Sequence, residues 1–295
     1  MSEDTCYAML DAYMLEHAKV KLVAHKRQQY AVNNLEPHFG HLLASEITPL
    51  EINDYCAKRA VSPSTQRREL AVLSAALRHA VKMRRLAPAD VPDIELPEQA
   101  PPKGRWLDRD ELKMLFEAAE RLGPSWRQSR LYLFVALAYY TGSRRGAIEA
   151  LPWSRVDFER SRITLQEPGT RQTSKRRPVV PISPLLLPVL QAAYEERINE
   201  WVLDSAAPIY CTFMLAVRKL GWDDVTPHTL RHSRAVHLAQ DGVSLYQIAG
   251  LLGDTVATVE RNYLHHCPDH LRGVMDADRN GLTTSSRRRP ENPSQ

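Results

Sequence analysis

The sequence predicts a mostly α-helical protein of two domains with one small β-sheet, and three observations carry that prediction. Apolar residues recur at intervals of three and four along most of the chain, as in helices with one buried face. Only the stretch from Arg162 to Ile182 carries short runs of strand character. A proline-rich segment between Ala87 and Arg105 interrupts the helical pattern and marks a domain boundary. With 295 residues, 43% of them hydrophobic, the chain can fill a core on each side of that boundary.

Composition excludes several classes. Lys and Arg number 39 against 35 Asp and Glu, a mildly basic balance that admits an anionic partner without requiring one. Cys6, Cys56, Cys211 and Cys267 are scattered, with no C-x-x-C pair and no export signal ahead of them. A disulfide framework or a structural zinc site is therefore not expected, and a reducing cytoplasm is. No apolar run approaches the roughly 18 residues of a membrane helix, so no membrane partner is expected.

Helical spacing begins with Met9, Tyr13 and Leu15 to Val20 and resumes at Tyr30, Val32, Leu35 and Phe39. Thr48-Pro49-Leu50-Glu51 has the form of a capping box, with proline in the first turn, and opens a helix through Tyr55. From Ser64 to Leu86, Leu70, Leu73, Leu77 and Val81 form an apolar stripe, while Arg67, Arg78, Lys82 and Arg85 share another face. Six basic residues and one acid, Glu69, lie between Arg67 and Leu86. Such a ridge can neutralise phosphates, and it can equally be a solvated helix face.

The segment from Ala87 to Arg105 holds five prolines and reads as an extended connector. Asp108 with Glu111 is a second capping box, followed by Leu112, Leu115 and Ala118. Trp126 to Tyr140 is a strongly apolar helix, ended by Thr141-Gly142 with the glycine placed for a left-handed cap. Ser143, Arg144 and Arg145 follow, then a short helix to Leu151. An arginine on that turn can point into a cleft or lie on the surface. Arg162 to Leu165 and Pro178 to Ile182 are the strand candidates, joined by a hairpin tip that carries Arg171, Lys175, Arg176 and Arg177. Helices are expected again over Leu185 to Val202 and Phe213 to Leu220. Thr226-Pro227 opens a further one, which Asp241-Gly242 closes; Ser244 to Leu252 and Thr255 to Leu264 follow around Gly253.

Within that last stretch His228 and Arg231 are three apart and share a helix face. TGSR at Thr141 to Arg144, HTLRH at His228 to His232, Leu-Leu-Gly at Leu251 to Gly253 and Tyr263 resemble, in their order, the boxes of the tyrosine recombinases, the phage-integrase family. The resemblance implies a helical DNA core-binding domain over residues 1–90, a linker over 91–105, and an α+β catalytic domain over 106–275. Residues 276–295 read as a disordered tail.

The resemblance further implies that Tyr263 attacks a DNA phosphodiester, giving a 3′-phosphotyrosyl link and a 5′-hydroxyl without metal, ATP or other cofactor. Arg144 and Arg231 would hold the non-bridging oxygens, and His228 would accept the tyrosine proton or donate a hydrogen bond. A hairpin lysine would protonate the leaving oxygen; Lys175 is the hairpin's lysine, with Arg171 and Arg176 as alternatives for that place and otherwise as DNA contacts beside Arg67, Arg78, Lys82 and Arg85. Two positions depart from the family. Ala147 stands where an acid is usual, and Asp254 where histidine or tryptophan is; the aspartate could orient an arginine or accept the tyrosine proton.

The partners implied are double-stranded DNA attachment sites, further copies of the chain on that DNA, and accessory DNA-bending or directionality proteins, in a nucleoid-associated cytoplasmic setting. Two other readings compete. Ser244 to Tyr263 also has the form of a helix-turn-helix, which would make the protein a regulator. The Ala147 and Asp254 departures would also fit an integrase relative that has lost cleavage. His265, His266, Cys267 and His270 show no second ligand pair elsewhere, and no metal is assigned to them.

Overall fold

The computed structural model describes residues 5–98, 104–122, 129–166, 178–204 and 208–263. The chain divides into two compact units, Met1–Pro102 and Lys103–Gln295.

The first unit is helical. Helix α1 (Cys6–Tyr13) passes through a π turn at Met14–Ala18 into the short α2 (Lys19–Lys21), followed by α3 (His25–Phe39), α4 (Pro49–Lys58) and α5 (Pro63–Lys82). Thr48 Oγ1 accepts from Glu51 N at 3.4 Å with Pro49 at the first helical position, so α4 starts where its sequence signal places it. Helix α5 packs on α1 and α3 through Leu70, Leu73 and Leu77, all fully buried. Ala76 and Ala80 continue this row, and Val81 lies only half-buried at its margin.

Glu69, the acid in the basic run, faces inward. It accepts from Tyr55 Oη at 2.7 Å, from Asn34 Nδ2 at 3.1 Å, and from Arg59 Nε and Nη2 at 3.2 and 3.0 Å, so one carboxylate ties α3, α4 and α5 together. Burial and this hydrogen bond push the Tyr55 phenol well above its ordinary pKa. Beyond α5 the connector makes a 3-10 turn at Pro88–Asp90 and then runs extended. Val91, Ile94 and Leu96 pack against the first core, and Arg67 donates to Pro97 O at 2.8 Å. The first part of the connector is therefore strapped to the first unit.

The second unit begins with its incoming chain laid along one helix. Arg105 pairs with Asp224 at 3.2 Å, Leu107 N donates to Ser233 Oγ at 2.8 Å, the Trp106 ring meets His237 edge-on, and Arg109 pairs with Asp241 at 2.6 Å. These partners run from just before to just after α11 (Pro227–Gln240). Helix α6 (Arg109–Arg121) opens on the expected reciprocal cap. Asp108 Oδ1 accepts from Glu111 N at 2.8 Å, and Glu111 Oε2 accepts from Asp108 N at 3.0 Å.

Helix α7 (Arg130–Thr141) has nine of its twelve residues buried and forms the centre of this unit. Ser129 caps it, which starts the helix four residues later than Trp126; residues 123–128 lie outside the described residues. After α8 (Arg145–Glu149) comes an antiparallel sheet of β1 (Val156–Asp157), β2 (Arg162–Thr164) and β3 (Val179–Pro181), in that order. Ile163 pairs with both Val156 and Val180, and all three are buried on one face. Strand β1 was not expected, because two residues carry no readable alternation.

The helix expected over Leu185 to Val202 is shorter: α9 spans Leu187–Glu195. Asn199 Oδ1 accepts from Trp201 N at 2.9 Å, and Glu200 O and Val202 N bond the backbone of Trp153 and Leu151 at 2.8 and 2.9 Å. Those turn and bridge bonds replace the helical ones, and Val202 and Leu203 enter the core by that route. Helix α10 (Tyr210–Lys219) and α11 are followed by α12 (Leu245–Leu252) and α13 (Val256–Tyr263). A small cluster of Ala235, Val236, Ile248, Ala249, Leu252 and Val259 packs the last three helices together. Among the described residues no helix is long and apolar enough to cross a membrane.

Candidate active site

The site is assembled from two turns and the first half of one helix. Gly142 ends α7 in the left-handed conformation, φ 62°, with its α-carbon against Leu252 of α12. Thr141 Oγ1 lies 2.6 Å from both Leu137 O and Ser143 Oγ, fixing the turn that carries Arg144 to the N-cap of α8. The second turn follows α12, where Gly253 is also left-handed at φ 65° and Asp254 N donates to Ala249 O at 3.1 Å.

Helix α11 supplies His228 and Arg231. Arg231 is only 2% exposed, with Nη1 donating to Gly142 O at 2.8 Å and Nη2 bonded to Asp254 Oδ2. The other oxygen of the same carboxylate accepts from Arg144 Nη2 at 2.7 Å. Asp254 thus bridges the two arginines, which come from segments far apart in the chain. A buried guanidinium without a counter-charge is strongly destabilising, and here Asp254 supplies it. Ala147 is buried, and Glu149 is engaged elsewhere, with Oε1 accepting from Ile209 N at 3.0 Å beside α10 and Oε2 paired with Arg145 at 3.8 Å.

His228 stacks edge-on against His232, ring centroids 4.6 Å apart. Part of the residue is open to solvent, yet the surroundings hold its pKa down, to about 4. Desolvation by the surrounding protein is the largest cause, followed by His232 and the Arg231 and Arg144 guanidinium charges, with Asp254 opposing them. His228 is therefore neutral at pH 7, with a ring nitrogen lone pair unprotonated. Tyr263 is the last residue of α13, whose Val259 is fully buried and which packs on α11 and α12. The structure thus gathers Arg144, His228, Arg231 and Asp254, and brings the helix ending in Tyr263 against the same scaffold.

The sequence model of the phage integrase family matches residues 105–270, more than half of the chain. The chain belongs to the phage integrase family. It is a tyrosine recombinase, an enzyme of the site-specific recombinase type. Tyrosine recombinase XerA of Thermococcus onnurineus (strain NA1) is 30% identical over 205 residues, covering 63% of this chain and 69% of that one. Tyrosine recombinase XerC of Xanthomonas campestris pv. campestris (strain B100) is 25% identical over 232 residues, covering 75% and 69%. Among solved structures, the Tn1549 transposon integrase in complex with a circular intermediate DNA superposes with a TM-score of 0.76 at 15% identity, covering 92% of this chain and 99% of that one. A lambda integrase tetramer bound to a Holliday junction gives 0.67 at 21% identity, covering 86% and 77%. These structural likenesses speak for the fold.

For this integrase-family chain, the residues expected to meet DNA fall into three groups. Arg78 and Lys82 are exposed on α5. Arg67 and Arg85 already hold internal partners, Pro97 O and, at 2.6 Å, Glu16. Arg171, Lys175 and Arg176 lie outside the described residues, as do His265, His266, Cys267, His270 and the tail from Asp276. Sequence reasoning missed two contributors: the Gly142 carbonyl that anchors Arg231, and Leu252, which packs on Gly142. Glycine within TGSR signalled the end of α7, but nothing local signals that its carbonyl receives a guanidinium from α11.

Proposed function

We propose that this protein cuts and rejoins double-stranded DNA at attachment sites through a covalent 3′-phosphotyrosyl intermediate. The observation that carries the reading is the convergence of Arg144 and Arg231 on one two-oxygen anion, because two forked cations on one anion form a binding site for a phosphodiester. Tyr263 Oη forms a bond to phosphorus while the bond from phosphorus to the 5′-oxygen breaks. The tyrosine proton passes to neutral His228, directly or through water, and Lys175 protonates the departing 5′-oxygen. The bond energy is retained in the phosphotyrosyl link, so rejoining by a 5′-hydroxyl needs no ATP. Arg78 and Lys82 contact backbone phosphates outside the site. Several strand cuts require several copies on paired sites, as in the lambda integrase tetramer on its junction, with accessory DNA-bending or directionality proteins joining there. The setting is the nucleoid, where attachment sites lie.

The test is incubation with a nicked suicide duplex carrying the attachment site of the protein's own genetic element, followed by a denaturing gel. Wild-type protein is expected to shift to a covalent DNA adduct and Tyr263→Phe to form none. Equal behaviour of the two would remove the catalytic reading. Arg144→Ala is expected to slow adduct formation by about 100- to 1,000-fold, as loss of one transition-state donor does.

A further inference from the structure

Arg231 has to meet a DNA phosphate in the chemistry above, yet it is 2% exposed, and one side of its guanidinium is covered by Asp254. Asp254 is the more accessible partner, with 17% of its side chain exposed. Its two oxygens engage one arginine each, the arrangement that the two non-bridging oxygens of a phosphodiester would adopt. The mobilities of the groups differ. Arg231 is held at its other terminal nitrogen by Gly142 O and is buried, whereas Asp254 is held at its backbone by the turn after α12 and can swing its carboxylate about two side-chain torsions. Two anions in contact repel each other, so a phosphate and this carboxylate cannot share the place between the arginines.

We propose that Asp254 is an internal anion that occupies the phosphate place of the DNA-free enzyme, and that the scissile phosphodiester has to displace it. This rests on reading Arg144 and Arg231 as the phosphate-binding pair. The exchange keeps one negative charge on the arginines in both states, so buried Arg231 is never left uncompensated. It also sets a threshold. A small oxyanion in solution does not displace a tethered carboxylate, whereas a phosphate delivered by a duplex held along other contacts does, because the tether's high effective concentration is then matched.

Two neutral variants, Asp254→Asn and Asp254→Ser, test this, the pair being used so that a packing defect in one does not decide the outcome. The first readout is the melting temperature in sodium phosphate against sodium chloride at equal ionic strength. Phosphate is expected to raise it by a few degrees more in the variants than in the parent, since an oxyanion that binds only the folded form stabilises it. The second is duplex DNA binding in a Tyr263→Phe background. The variants are expected to bind several-fold tighter, because the phosphate then takes its place on the arginines without first displacing a carboxylate. Variants that gain no phosphate stabilisation and bind DNA no tighter would overturn the proposal and leave Asp254 as a fixed support of the arginines. The suicide-duplex assay separates the two readings. An oxyanion gain without any wild-type adduct sinks the tyrosine chemistry and keeps the displacement, and an adduct without the oxyanion gain does the reverse.

Discussion

Gly142 is glycine for two independent reasons, its left-handed φ of 62° and the approach of Leu252 to its α-carbon. Gly142→Ala combines a left-handed penalty of about 1–2 kcal/mol with overpacking of about 1–3 kcal/mol. A thermal melt should show the loss of stability. The suicide-duplex assay should show a larger fall in adduct, because the carbonyl that anchors Arg231 moves with the backbone. His228 makes a pH prediction. Its pKa is about 4 in the folded chain against an ordinary 6.5, so between those values the unfolded chain binds more protons and stability falls as pH drops. Urea midpoints at pH 7 and pH 5 should therefore differ less in His228→Gln than in wild type. TGSR and HTLRH made Arg144, His228 and Arg231 legible in sequence, because these residues sit at readable places on a cap and a helix start. The bridging role of Asp254 was not legible. Its partners lie 110 and 23 residues away, and only the packing of α12 against the end of α7 brings them together.

Helix starts were the best-marked elements, since a cap is local chemistry. Asp108 and Glu111 cap each other as their spacing predicts, and Asp108→Ala should destabilise the second unit by about 1 kcal/mol, measurable by denaturant titration. Glu69 is the opposite case. In sequence it is one acid among bases, and only the fold reveals it as the buried acceptor that joins α3, α4 and α5. Glu69→Ala leaves the Tyr55 hydroxyl and partly exposed Arg59 without their acceptor and should cost about 2–3 kcal/mol. Short elements escaped for a physical reason. Two residues of β1 have no period, and the end of α9 is decided by backbone bonds to Leu151 and Trp153, which lie more than forty residues upstream.

On the scale of the molecule, packing changes hands late in the proline-rich segment. Val91, Ile94 and Leu96 belong to the first core, and the compact units meet in sequence at Pro102 and Lys103. Each unit has its own buried cluster, so residues 1–102 and 103–295 expressed separately should each unfold cooperatively by circular dichroism. A fragment cut at residue 90 should melt lower than 1–102, having lost the strap. Where the chain enters the second unit, Arg105, Trp106, Leu107 and Arg109 are fastened at intervals along α11. Such distributed anchorage works as strain relief. A tug transmitted through the connector is spread as shear along that helix rather than concentrated on the one turn that holds His228 and Arg231, so those two side chains keep their positions while the rest of the chain is pulled.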